Sequence, residues 1–307
     1  MMSNATKIGF VGLGVMGWPM AACLVKAGFD VRVTDVVPGK AEQFAIEVGG
    51  KATGSVASLA EDIDTLVLIL PSSNEVRMVA EQARGSLAPG ALIIDMTSGS
   101  PGVTKEIAAE LAPERIEIID APVSGGAVRA KTGELAIMIG ASKAQFARAK
   151  PILEAMGTSL HHVGDVGAGQ TVKALNNLCY SAGLLIAVEA LLIGQRAGVD
   201  PAAIVDVLNT SSGGNGATRI MIKNQILNRS FKPAFRLDLM LKDLTIAADL
   251  ARETKTTAPY SLICRETWSA AAALLGPGHD NSAIAKFCER MSGDILSSPT
   301  VEQAGAA

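Results

Sequence analysis

The sequence predicts an α/β chain in which a doubly wound parallel sheet is followed by an all-α domain, the two joined by one long helix. Three observations carry this expectation. Short β-branched apolar runs alternate with helix-length segments from Lys7 to about Val163. That alternation implies a parallel sheet covered on both faces, because every parallel crossover must be long enough to hold a helix. A glycine-rich turn joins the first apolar run to the first helix, and beyond residues 164–170 only helical segments follow.

In order along the chain, strands are expected at 8–11, 31–35, 65–70, 91–95, 116–120 and 135–139, with helices at 15–27, 39–48, 74–83, 104–111 and 143–156. The second region reads as helices at about 171–197, 201–209, 217–228, 238–253, 259–275 and 281–291. Asp200-Pro201 places a capping side chain before a proline at the first helical position, and Gly198 suits the end of the preceding helix. The expected division is therefore 1–165 for the sheet domain and 166–296 for the helical domain, with 297–307 a small, polar, frayed tail.

Composition narrows the function. The 307 residues suit about two domains. The charge sum, 27 − 30 = −3, leaves no basic excess for nucleic acid and no polybasic run for an anionic membrane. Cys23, Cys179, Cys264 and Cys288 are scattered without a CxxC and read as small buried hydrophobes in a reducing, cytoplasmic compartment. With only three histidines, no metal centre is expected. The apolar stretch 7–28 is broken by Gly12, Gly14, Gly17 and Pro19 and reads as mature structure, not as a signal peptide. The stretch 178–194 falls short of the roughly 20 residues that span a bilayer and contains Glu189, so it reads as a helix buried on all sides.

The motif Gly12-Leu13-Gly14-Val15-Met16-Gly17 sits between the first strand and the first helix. The first glycine makes the tight turn, the second admits a pyrophosphate against the backbone, and the third allows close helix–strand packing; the helix N-terminus supplies N–H groups and positive dipole. Asp35 ends the second strand at the spacing, about 20 residues on, where a carboxylate grips the adenosine ribose. A carboxylate there repels a 2′-phosphate and no arginine follows closely, which favours NAD; Lys40 keeps NADP open. The strand ends Leu70-Pro71-Ser72 and Thr97-Ser98-Gly99 should also face the dinucleotide, since ligands lie beyond the C-terminal ends of such strands.

A dehydrogenase also needs a group to move the alcohol proton. His161, His162 and His279 are poorly placed for this, whereas Lys173 and Asn177 lie four apart on one face of an otherwise apolar helix. An amine emerging from such surroundings is desolvated toward the range of a general acid–base. Asp120-Ala121-Pro122-Val123-Ser124-Gly125-Gly126 follows another strand, and Ser124, Gly125 and Gly126 offer a hydroxyl and adjacent N–H groups to a carboxylate. Lys242-Asp243, taken alone, reads as a surface ion pair.

Together the glycine turn with Met16, the segment 120–126, the segment 167–177 and Lys242-Asp243 resemble the β-hydroxyacid dehydrogenase family, over nearly the whole chain and in the same order. The resemblance implies a Rossmann-like first domain, a long interdomain helix and a homodimer or homotetramer. It also implies an NAD(P)-dependent oxidoreductase that interconverts a small carboxylate-bearing 3-hydroxy acid and its semialdehyde or 3-oxo acid, of the 3-hydroxyisobutyrate, tartronate semialdehyde, L-threonate or L-serine type. By that resemblance Lys173 is catalytic, Ser124, Gly125, Gly126 and Asn177 contact substrate, and Lys242 lies near the nicotinamide with Leu70, Pro71 and Thr97 or Ser98. Many members have Ser-Thr where this chain has Thr97-Ser98, so the hydroxyl that touches cofactor stays open. Gly216-Ala217-Thr218-Arg219 lacks the aromatics of the 3-hydroxyisobutyrate enzymes, which leaves the substrate's distal end open. Imine reduction and a catalytically silent NAD-binding sensor are the rival readings, and relatives of both kinds lack the lysine. Lys173→Ala is expected to lower turnover by roughly 10²–10⁴-fold while dinucleotide binding persists, as steady-state kinetics and fluorescence titration would measure.

Overall fold

The computed structural model describes residues 6–298. The chain forms two compact units that divide between Lys173 and Ala174. Among its described residues the first contains nine strands: β1 (Lys7–Val11), β2 (Asp30–Thr34), β3 (Lys51–Ala52), β4 (Thr65–Leu68), β5 (Leu92–Asp95), β6 (Glu117–Asp120), β7 (Val123–Ser124), β8 (Leu135–Gly140) and β9 (Gly157–Gly164). They form one sheet in the order β3-β2-β1-β4-β5-β6-β8-β7, with β9 on β8. All neighbours from β3 to β6 are parallel.

The strands alternate sides residue by residue. Ile8, Phe10, Val67, Ile94 and Ile119 join Met20, Phe44 and Leu153 in one core, while Val11, Leu66, Leu68, Ile93 and Ile118 join Leu59, Ala80 and Ile107 in another. Two dry layers therefore flank the sheet, which is why these runs are apolar throughout instead of alternating with polar residues. The helices that supply them are α1 (Gly17–Lys26), α2 (Lys40–Glu47), α3 (Val56–Ala60), α4 (Ser73–Arg84), α5 (Pro101–Leu111), α6 (Gly126–Thr132) and α7 (Lys143–Glu154). Ser72 caps α4, and Ser142 with Gln145 forms a capping box on α7.

The sheet departs from the expected all-parallel pattern at one side. β8 runs antiparallel to β6 and β7, and β9 is parallel to β8. Only the short α6 separates β7 from β8, less than the dozen or so residues a parallel crossover needs. β3, β7, α3 and α6 escape the sequence pattern because they are too short to establish a period. β9 carries no apolar strand signal in the sequence, being polar and mostly exposed.

One helix, α8 (Ala168–Arg196), runs through the division between the units. The division falls inside this helix, whose first turn is hydrogen-bonded to the sheet unit, as described below. In the second unit α8 packs with α9 (Pro201–Thr210), a π-helix at Thr218–Leu227, α10 (Leu237–Glu253), α11 (Pro259–Leu275) and α12 (Ile284–Ser292). Their core gathers Leu184, Val188, Val205, Ile222, Leu244 and Ile284 around the fully buried Trp268. Asp200 caps α9 ahead of Pro201, as the sequence predicts.

Three expectations need correction. The helix at 178–194 is not buried on all sides: Ile186 is 62% and Ile193 70% exposed, because neighbouring helices cover only its other flank. Cys179, on that same uncovered flank, is exposed, whereas Cys264 and Cys288 are buried as expected; all four cysteines are free thiols. The tail is not frayed at its start, where Ser297 N–H donates to Gln195 Oε1 at 3.0 Å and Ser298 is buried; its remaining residues lie outside those described.

Asp280 ties the helical unit together. Its carboxylate accepts the N–H groups of Ala234, Phe235 and Ser282 and the Ser282 hydroxyl, at 2.6–2.9 Å. Asp280→Ala strands those donors, so a loss of about 3 kcal/mol or more is expected, read as a fall in thermal midpoint.

Candidate active site

The glycine turn is built by contacts that no side chain would permit. Gly12 has φ +99°, and a Cβ there would come within 2.3 Å of the Ile69 carbonyl oxygen. At Gly17 a Cβ would lie 1.8 Å from the Gly12 carbonyl oxygen, so this glycine lets α1 start directly against the strand end. Gly14 differs: nothing lies within 4 Å of where its Cβ would point. Between them Leu13 is buried, Met16 half-buried and Val15 exposed. Met16 offers no side-chain cap to α1, which leaves the helix N-terminus available to an anion. A packed turn with space in front of its middle glycine and an uncapped helix behind it fits a dinucleotide pyrophosphate.

Asp35 braces this turn. Its carboxylate accepts Leu13 N–H at 2.6 Å and Val37 N–H at 2.9 Å, and the Lys40 ammonium stands 4.0 Å away. A carboxylate has about four lone-pair positions, so these two bonds leave acceptor capacity for ribose hydroxyls.

At the neighbouring strand ends, Thr97 takes a structural part. Its hydroxyl accepts Leu70 N–H at 3.0 Å, and its own N–H donates to Asp95 Oδ1 at 3.0 Å. Both Thr97 and Asp95 are buried, while Ser98 is half-buried. Pro71 follows Leu70 in the turn into α4. The loops carrying Leu70 and Thr97 are therefore held to each other.

Asp120, the last residue of β6, is fully buried and accepts Gly167 N–H at 2.6 Å and Gln170 N–H at 2.7 Å. Gly167 immediately precedes α8 and Gln170 lies in its first turn, so Asp120 acts as its N-cap from a distant part of the chain. Burial pushes the Asp120 carboxyl above the usual carboxylate range, against the opposing pull of those N–H groups. The fit is close: a Cβ on Gly140 would stand 2.4 Å from Asp120 Oδ1, and one on Gly169 would stand 2.4 Å from the Met138 carbonyl oxygen. Just beyond, Ser124 lies in β7 opposite Ala136, and Gly125 (φ +129°) and Gly126 (φ +64°) turn the chain into α6. The Arg129 side chain lies over Gly125.

Lys173, one turn into α8, is 8% exposed. The residue as a whole is therefore buried. Four residues further along the helix, Asn177 is buried, donates from Nδ2 to Asp243 Oδ2 at 2.5 Å, and accepts from Asn176 at 3.1 Å. Asp243 is fully buried, with Lys242 Nζ 3.4 Å from its other oxygen. Lys242-Asp243 is thus no surface ion pair; α10 turns the carboxylate inward to Asn177.

Sequence reasoning missed the parts played by Asp120, Gln170 and Asp243. Asp120 ends an apolar run, a signal that shows burial without naming the partner, whereas Gln170 beside Gly169 and Asp243 beside Lys242 carry no such local signal. Among the described residues no cluster of three or more His, Cys, Asp or Glu is placed to hold a metal ion. A 440 Å³ cavity lined by Lys7, Asp64, Thr65 and Arg148 lies at the opposite end of β1 and β4 from the glycine turn and takes no part in the site.

Two family models match in tandem. Residues 7–164 match the NAD binding domain of 6-phosphogluconate dehydrogenase, and residues 167–288 match the NAD-binding domain of NADP-dependent 3-hydroxyisobutyrate dehydrogenase. The chain is 34% identical to 2-(hydroxymethyl)glutarate dehydrogenase of Eubacterium barkeri, over 96% of this chain and 99% of that one. It is 35% identical to 3-hydroxyisobutyrate dehydrogenase of Pseudomonas aeruginosa, over 92% and 98%. Among solved structures, 3-hydroxyisobutyrate dehydrogenase of Mycobacterium tuberculosis with L-serine superposes with a TM-score of 0.86 at 31% identity, covering 92% of this chain and 99% of that one.

The contrast between glycines gives a test of the turn. Gly14→Val should leave the thermal midpoint nearly unchanged while weakening NADH binding at least about tenfold, whereas Gly17→Val should destabilise the fold itself, since its Cβ has no room.

Proposed function

Because this chain belongs to the β-hydroxyacid dehydrogenase family of NAD(P)-dependent oxidoreductases, we propose that its substrate is a 2-substituted 3-hydroxypropionate, oxidised at its primary alcohol to the semialdehyde. The compounds named for the relatives above, 2-(hydroxymethyl)glutarate, 3-hydroxyisobutyrate and L-serine, share that skeleton and differ only in the substituent on the carbon that bears the carboxylate. The observation that carries the reading is the burial of Lys173 in the second turn of a helix whose first turn is fixed to the sheet unit.

When bound, the nicotinamide supplies the hydride acceptor. The rest falls to the chain's own residues. Lys173 takes the proton from the substrate hydroxyl oxygen, and returns it in the reverse direction. Ser124 and the N–H groups of Gly125 and Gly126 bind the carboxylate, and Asn177, held by Asp243, orients the hydroxyl. The turn at 12–17 with Asp35 binds the pyrophosphate and ribose, while Leu70, Pro71, Thr97, Ser98 and Lys242 border the nicotinamide. NAD is the preferred dinucleotide on this reading, since the carboxylate of Asp35 opposes a 2′-phosphate and only Lys40 stands near it.

The reading includes a cytoplasmic location, supported by four free thiols, and a homo-oligomer. Leu175, Cys179, Ile186 and Ile193 form an exposed, mostly apolar stripe at helical spacing on α8, a face suited to a second copy of the chain. Ile186→Asp with Ile193→Asp should reduce the mass measured by light scattering.

Oxidation of 3-hydroxyisobutyrate, glycerate, threonate, serine and phenylserine, each with NAD and with NADP, tests the activity. Turnover of 3-hydroxyisobutyrate or serine with NAD at least about tenfold preferred is expected; turnover confined to the secondary alcohols or to NADP overturns the assignment.

A further inference from the structure

We propose that Gln170 is a positioning residue that locks the helix carrying Lys173 to the loop after β5, an inference that rests on the catalytic reading of Lys173. Gln170 is fully buried and lies three residues before the lysine. Its side chain crosses to the Thr97-Ser98-Gly99 loop, where Nε2 donates to the Thr97 carbonyl oxygen at 2.7 Å and to Asp95 Oδ2 at 3.3 Å, and Oε1 accepts Gly99 N–H at 2.8 Å. The amide orientation is dictated by its partners, since Gly99 N–H needs an acceptor and the two oxygens need a donor. The Gln170 backbone N–H is held separately by Asp120.

One residue is therefore fixed at both ends of its side chain, and the loop it grips is the one that also holds Leu70 through Thr97. On its other side the loop is packed against α4, where a Cβ on Gly99 would lie 2.3 Å from Ser73 Oγ and Ser100 N–H donates to that same oxygen at 2.8 Å. A displacement of about 1 Å at a reacting group can cost 10²-fold in rate, so a link this short from the lysine sets where its amine stands. Glutamine provides both donor and acceptor at this reach whatever the pH. Asparagine is one methylene shorter, methionine fills the space without polarity, and ionised glutamate accepts but cannot donate.

The test compares wild type, Gln170→Met, Gln170→Glu, Lys173→Ala and the double variant Gln170→Met/Lys173→Ala, with 3-hydroxyisobutyrate or whichever of the five hydroxy acids is oxidised fastest as substrate. Gln170→Met should keep NADH affinity within about threefold by fluorescence titration while kcat falls about 10–100-fold. Hydrogen exchange at Gly99 N–H, measured without cofactor, should accelerate. In Gln170→Glu the neutral acid still donates one hydrogen bond and accepts another, but the carboxylate faces Asp95. Its kcat relative to wild type should therefore fall as pH rises, a trend that a loss of packing would not produce. This variant also carries the test if the methionine variant does not fold. Adding Gln170→Met to Lys173→Ala should cost no further activity, because Gln170 acts through the lysine. Equal losses of NADH affinity and kcat, a Gln170→Glu profile parallel to wild type, or an additive double variant overturns the inference. Wild-type turnover by Lys173→Ala instead overturns the reading of the lysine, a separate result.

Discussion

The buried carboxylate of Asp120 is the point on which the arrangement turns. It leaves water completely, a costly placement for an acid, and is stabilised there by the two N–H groups at the start of α8. Without it the helix would begin with unsatisfied donors against an apolar sheet. With it, the first turn of a helix 29 residues long becomes part of the sheet unit. Gly140 and Gly169 make this approach possible, and neither can carry a side chain without displacing the carboxylate or the chain beside it.

Backbone N–H groups are held by side chains in the same way at the glycine turn and at the loops after β4 and β5. Asp35, Asp95 and Thr97 each spend hydrogen-bonding capacity on backbone N–H groups before any ligand arrives. Loops that would otherwise be mobile are thereby set in advance, which lowers the ordering cost of binding. Polar side chains that look like ligand contacts in sequence thus also brace the loops that carry them.

Much of the fold was legible because its long elements are strongly patterned. The six apolar strands from β1 to β8 and every long helix announce themselves by period, and the glycine turn announces its strand–turn–helix setting. Short or polar elements such as β3, β7 and β9 lack a period, and the reversal of β8 depends on how much chain α6 spans, which no local pattern encodes. Of the candidate site, Gly12, Gly14, Gly17, Asp35 and Lys173 stand out in the sequence because each has a defined local setting. Gln170 and Asp243 could not, because their partners lie far away in sequence: 75 residues separate Gln170 from Asp95, and 66 separate Asn177 from Asp243. Lys242-Asp243 was misread for the same reason, since a neighbouring opposite charge is a local fact whereas the burial of Asp243 is a tertiary one.

The sheet is also finished at both sides in a way that bears on colloidal behaviour. At one border stands β3, only two residues long, and at the other β9, polar, solvated and joined to β8 through two irregularities in register. Neither border offers a long, flat, apolar template for another strand. Edge-to-edge growth of the native sheet into fibrils is accordingly disfavoured at both borders.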